Sequence, residues 1–220
     1  MNKEETKDEG KTPPTSSSWY QLANYKDYFD LSSGVAMRRI MKAIWPFTGK
    51  SFVETEEKAD LYVPIWTYFT LVITMSSFGS LVSSMKEAEA TDATRLNLNF
   101  DLDKLKSCFI VFTFFFFVNP FFFCIFFKCK GSEIGLAQLM CMVGYSFIPF
   151  VPVSFLFVLP YVIFRVVLLI GAACIAIYFL YKNMGKLCEK YLKDYVYFVR
   201  AYMITIQVIL IVVIYFSFFS

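Results

Sequence analysis

Two neighbouring side chains, Tyr145 and Ser146 in the apolar run Gly144-Tyr145-Ser146, could in principle act as base and nucleophile. Such a pair needs a further group to orient the base and to handle the proton. The chain supplies none. It has no histidine, which removes the commonest general base and the commonest metal ligand, and no pair of carboxylates or metal-binding cluster lies within an apolar segment. Six cysteines, Cys108, Cys124, Cys129, Cys141, Cys174 and Cys188, lack CxxC spacing. They read as small apolar packing residues, and Cys124, Cys129 and Cys188, beside membrane boundaries, are also positions where an acyl chain could be attached. The expectation is a protein that is not an enzyme and holds no cofactor and no metal. Gly144-Tyr145-Ser146 then reads as a close helix-packing motif with local backbone bonding near Pro149.

Transport is the second chemistry to consider. A transporter or channel for ions or small solutes needs polar or charged groups facing a path, and the apolar segments offer chiefly Asn119, serines, Arg165 and Gln207. It is the alternative reading.

The elements that hold these residues are set by hydrophobicity. Hydrophobic residues make up 57% of the chain and aromatics 20%, with a mean hydropathy of +0.54, far from a soluble domain. The stretch Ile134 to Tyr181 contains a single charge, Arg165. As one helix it would run roughly 70 Å, more than twice a hydrocarbon core of about 30 Å, so it folds into two spans. Pro152 and Pro160 mark the reversal. With the other apolar segments this predicts an all-α integral membrane protein of five transmembrane helices, over about 62–85, 105–127, 134–156, 158–181 and 196–219. The first sixty residues are polar and charged, with no signal-peptide pattern, so the first span itself serves as the membrane signal.

Ahead of the spans, residues 1–18 read as a disordered tail and 19–61 as a water-facing region with a short amphipathic helix. In that helix Met37, Ile40, Met41, Ile44 and Trp45 recur at helical spacing beside Arg38, Arg39 and Lys42, and Pro46 ends it. It either lies on an anionic leaflet or packs on the protein's own membrane domain. Glu54, Glu56 and Glu57 form a solvated linker. Ser76, Ser80 and Ser84, with Gly79 and Ser83, give the first span a stripe where another helix approaches. The phenylalanines of the second span, Phe114–Phe117 and Phe121–Phe123, read as lipid-facing bulk, with a kink at Asn119-Pro120. Arg165, near the start of the fourth span, is expected to snorkel to an interface. Lys182, Lys186, Lys190 and Lys193 form a basic stripe before the fifth span, suited to anionic lipid or an acidic partner, as are Arg38 and Lys42. The distribution of lysine and arginine favours a cytosolic N-terminus and a lumenal C-terminus.

Three motifs, in order, carry a resemblance: Tyr28-Phe29-Asp30 with Arg39-Ile40, then Asp60-Leu61-Tyr62-Val63-Pro64-Ile65-Trp66, then Gly144-Tyr145-Ser146 in the third of five spans. Together they resemble the Yip-domain family, in its YIPF branch, over about residues 20–219. Family members usually carry glycine where this chain has Val63. The resemblance implies a non-enzymatic membrane scaffold of vesicle-mediated transport in ER and Golgi membranes. Its implied partners are a Rab-type small GTPase at the cytosolic face, other Yip-family proteins, and the bilayer, with no nucleic acid. Tyr28, Phe29, Asp30, Arg39, Ile40, Asp60, Leu61, Tyr62, Pro64 and Trp66 are the partner-binding residues so implied.

Overall fold

The structure, a computed structural model, describes residues 28–29, 31–47, 59–90, 101–132, 134–159 and 161–219. The expectations for residues 1–18, for Asp30 and for the acidic run through Glu54, Glu56 and Glu57 lie outside the described residues. Within them the secondary structure is helical throughout.

Helix α1 (Ser33–Ile44) starts after Ser32, whose extended backbone lets its carbonyl accept from Val35 and Ala36 at 3.0 Å. It stops where proline demands. Trp45, the residue before Pro46, leaves the helical region at φ −125° and ψ 73°. Helix α2 (Tyr62–Ala90) is the first long apolar helix, with Pro64 in its opening turn, where the donor it lacks has no helical partner.

The second span runs unbroken from Leu102 to Cys129 as α3 (Leu102–Thr113), a wide turn (Phe114–Val118) and α4 (Asn119–Cys129). Here the expected kink takes another form. Pro120 cannot donate and its ring crowds the carbonyl four residues back, and the helix widens just before it, with Asn119 donating to the Phe114 carbonyl five residues back. The span's C-terminus closes at Gly131, whose φ of 76° suits glycine, with Gly131 N–H donating to Lys128 and Ser132 N–H to Phe127, each at 3.0 Å.

The third apolar segment is a bent pair: α5 (Leu136–Ser146) and α6 (Phe150–Phe155), the latter extended by a tight turn (Leu156–Val158), meet at 41°. Pro149 and Pro152 cannot donate to the carbonyls of Tyr145 and Ile148, and short three-residue bonds replace the missing ones: Ile148 N–H to Tyr145 at 3.2 Å and Val151 N–H to Ile148 at 3.1 Å. The next helix, α7 (Val162–Tyr191), continues ten residues past the expected end near Tyr181. After a short turn (Lys193–Tyr195), α8 (Val196–Phe219) packs back along α7. Among the described residues, four helices are thus long and apolar enough to cross a membrane, and the bent pair, counted as one, makes a fifth. The chain is a multi-pass membrane protein.

Packing corrects two side-chain expectations. The phenylalanines of the second span divide by helical face: Phe112, Phe115, Phe116, Phe123 and Phe127 are buried, whereas Phe114, Phe117, Phe121 and Phe122 face outward. Phe116 stacks on Tyr68 with centroids 5.4 Å apart. Three of the seven phenylalanines in the two runs are core. Arg165 does not snorkel; it is buried, and its Nε donates to the Leu159 carbonyl, tying the turn between the third and fourth spans back onto α7.

Candidate functional site

The start of α2 brings together residues from three distant parts of the chain. Asp60 sits one turn before Pro64, and its Oδ1 accepts the Val63 N–H at 3.4 Å, so the carboxylate caps the helix. Its other oxygen, Oδ2, is ion-paired with Arg39 Nη1 from α1 and accepts the Tyr145 hydroxyl from α5 at 2.9 Å. Arg39 and Asp60 are 4% and 2% exposed. An ion pair so removed from water is tolerated only when hydrogen bonds complete it, and the Tyr145 hydroxyl and the Val63 amide do this.

The residues around this network are equally constrained. A Cβ at Gly144 would clash with the Pro64 side chain and lie 2.9 Å from both Pro64 Cα and Phe116 Cε2. Glycine there lets α5 lie directly against the first turn of α2. Val63 is buried within that turn, and its N–H still meets the cap. Tyr28 reaches the same place through its backbone, its carbonyl accepting the Leu61 N–H at 3.0 Å. Ser146 turns inward: its hydroxyl donates to the Val143 carbonyl at 2.6 Å and receives Gln207 Nε2 from α8 at 3.3 Å.

Helix α1 is therefore packed on the membrane domain and still presents an apolar face. Ala43 is fully buried, Phe47 stacks on Tyr178 of α7 at 4.8 Å, and Lys182 Nζ donates to the Pro46 carbonyl at 3.0 Å. Met37, Met41 and Trp45 are 58–62% exposed along one flank, with Arg38 on another. Of the two alternatives left open for this helix, packing on the membrane domain is the one observed.

Of the residues singled out in the sequence, the network gathers Arg39, Asp60 and Tyr145, with Tyr28, Leu61, Pro64 and Gly144 around them. A docked protein cannot reach Arg39, Asp60 or Pro64, which are buried; any part they play in docking is to position α1 and the start of α2. Phe29, Tyr62 and Trp66 are exposed, and Ile40 and Leu61 partly so. The basic stripe is split: Lys182, Lys186 and Lys190 share one face of α7, whereas Lys193 lies beyond Leu192, whose backbone leaves the helix. Of the three cysteines near boundaries, Cys124 and Cys188 are buried and Cys129 is exposed.

Sequence reasoning missed the Tyr145–Asp60 bond, although a signal existed. Asp60 stands just ahead of an apolar span, and of the basic residues in α1 only Arg39 shares the helical face of Ala43. Polar groups inside the bundle also pair with one another: Tyr202 donates to Asn119 Oδ1 at 2.9 Å, and Ser154 to Thr74 Oγ1 at 2.9 Å.

An apolar groove of about 670 Å³ adjoins the network. It is walled by Ile40 and Ile44 of α1, Val63 and Trp66 of α2, and Val151 and Phe155 of α6.

The sequence matches the Yip1 domain over residues 42–218. It is similar to a protein described as a YIPF1 homolog from Dictyostelium discoideum, 23% identical over 167 residues, which are 76% of this chain and 47% of that protein. The chain thus spans about half the length of that relative. No solved structure matches. The match covers four-fifths of the chain, from the last three residues of α1 through nearly all of the final helix, and the chain belongs to the Yip1 domain family.

Proposed function

We propose that this protein is a non-enzymatic scaffold of vesicle-mediated transport in ER and Golgi membranes, recruiting a prenylated Rab-type GTPase to the face that carries α1. The observation behind this reading is that α1 is locked to the bundle from beneath by Arg39 and Asp60, while Met37, Met41 and Trp45 stay exposed beside Tyr62 and Trp66. A fixed apolar ridge with Arg38 on its flank is suited to a partner that approaches along the membrane surface. Lys190 and Lys193, exposed at the α7–α8 turn, would add attraction for acidic partners or anionic lipid. Association with other Yip-family proteins belongs to the same proposal, as does a cytosolic N-terminus. Pairing of Asn119 with Tyr202 and of Ser146 with Gln207 favours a scaffold over a permeation path.

The test is capture of prenylated GTPases by the full chain in nanodiscs, against a Met37→Asp, Met41→Asp double variant and against a chain lacking residues 19–61. Loss of capture in both supports the reading, and undiminished capture sinks it. Protease protection of an N-terminal tag in sealed vesicles checks orientation; a shielded tag would place α1 on the wrong side for a cytosolic GTPase.

A further inference from the structure

The groove beside α1 owes its shape to the break in the third segment. Its α6-side lining residues, Ile148, Val151, Pro152 and Phe155, all follow Phe147, where the chain bends by 41°. The bend carries α6 off the line of α5 and leaves a notch between α6, the first turns of α2 and the underside of α1. Every side chain lining it is uncharged. Of its few hydroxyls, that of Thr67 is turned back onto the Val63 carbonyl at 2.9 Å. An extended peptide laid in this notch would leave its own amides unpaired. A hydrocarbon chain has no such requirement.

What covers the notch follows from where it opens. Its rim is continuous with the outward surface of the spans: Trp66 and Phe69 on α2, and Phe155 and Leu156 at the end of α6, are 41–59% exposed. In a multi-pass protein that outward surface is the contact with lipid. On the other rim, Met37 and Met41 of α1 extend the apolar surface past the end of α2. We infer that the groove is a binding site for one acyl chain of a bilayer phospholipid, held between α1 and the α2–α6 seam. The chain fills the space that the bend opens and supports the underside of α1 where the Arg39–Asp60 pair does not reach. This site does not depend on recruitment of any GTPase and stands if that reading fails.

The test uses the full chain in nanodiscs of phosphatidylcholine bearing a diazirine midway along one acyl chain, with adducts mapped by peptide mass spectrometry. Label should concentrate several-fold on Ile40, Trp66 and Val151 over Ile73 and Ile163, which face outward away from the groove, and the groove positions should still be labelled when irradiation follows exchange into lipid-free detergent. Val151→Trp, which fills the notch, should reduce label at Ile40 and Trp66 to the level at Ile73. Should that variant unfold, the detergent-exchange result on the wild-type chain decides alone. Equal labelling at groove and outward positions would overturn the proposal. So would displacement of the label by a geranylgeranyl lipid but not by unlabelled phosphatidylcholine, which marks an isoprenoid site, or protection of the groove on dimerisation, which marks a second copy as the occupant.

Discussion

The two ends of α2 are held by opposite chemistries. At its start, Asp60 is sealed from water and shared among a helix cap, an arginine from α1 and a tyrosine from α5. At its far end, Ser80 Oγ accepts the Asp101 N–H at 3.2 Å, and Lys104 Nζ, partly exposed, reaches the Gly79 carbonyl at 2.9 Å and the Ser83 hydroxyl. Asp101 meanwhile caps α3, accepting the amides of Asp103 and Lys104. The far end uses one flexible charge and neutral hydroxyls joining adjacent helices. The near end uses a desolvated ion pair across 21 residues and, on the same carboxylate, a tyrosine hydroxyl from 85 residues away. A buried pair tolerates little displacement, because each partner left alone is a bare charge in an apolar medium. The end that must hold a separate helix in one position is therefore specified more tightly than the end that only turns the chain around.

Removing one member of the pair tests this most severely. Asp60→Ala removes the carboxylate that Arg39 and the Tyr145 hydroxyl share, and should destabilise the protein by about 3–5 kcal/mol. Thermal unfolding in nanodiscs measures the loss, and limited proteolysis should show cleavage near α1 appearing before cleavage of the spans. The joint replacement Arg39→Met, Asp60→Leu removes both charges and should recover most of the stability without restoring the position of α1, because apolar contacts do not fix it in one place. If Asp60→Ala costs no more than a surface substitution, the contrast between the two ends fails.

Gly144→Ala probes the same junction by shape. The added Cβ meets the backbone of Pro64 as well as its ring, so α5 must move away from α2, at about 1–3 kcal/mol. Gly171→Ala, where nothing lies within 4 Å of the added atom, is the control and should leave the unfolding midpoint unchanged or slightly raised.

The comparison also shows what a sequence of this kind reveals. Spans were legible because lipid imposes length and apolarity on any helix that crosses it, and the division of Ile134–Tyr181 into two spans was visible for the same reason, whereas the 41° bend inside the third span was not. The face that Arg39 shares with Ala43 and the place of Asp60 ahead of an apolar span mark both as inward charges, but nothing in type or spacing brings Tyr145 to them, since contact across 85 residues depends on how the spans are arranged around one another. Which phenylalanines face lipid was hidden because, in a helix apolar on all sides, periodicity no longer separates the buried face from the exposed one. Arg165 was misplaced for a related reason: charge and position suggested an interface, whereas the nearest unpaired carbonyl lay in the turn just before its own helix.

Tyr145→Phe sharpens the role of the third partner. The ion pair remains, but Asp60 loses a hydrogen bond from a buried donor, which should cost about 1.5 kcal/mol. In a cycle with Asp60→Asn the two effects should not add, because both act on one oxygen. Additive losses would mean that the tyrosine stabilises the bundle through packing alone.

The smallest effect belongs to the far end. Lys104→Met keeps the alkyl stem against α2 and removes the ammonium, leaving Gly79 with its helical bond and Ser83 with access to water, so the expected loss is below about 1 kcal/mol. High salt should weaken the native Lys104 contact slightly and leave the Arg39–Asp60 pair unaffected, since only the former is near solvent. Unfolding midpoints of the wild type and of Lys104→Met, each measured at low and high ionic strength, should therefore converge as salt rises, whereas wild type and Asp60→Ala stay apart. A salt-sensitive gap at Asp60 would show that water reaches the pair, and the two ends of α2 would then differ in degree only.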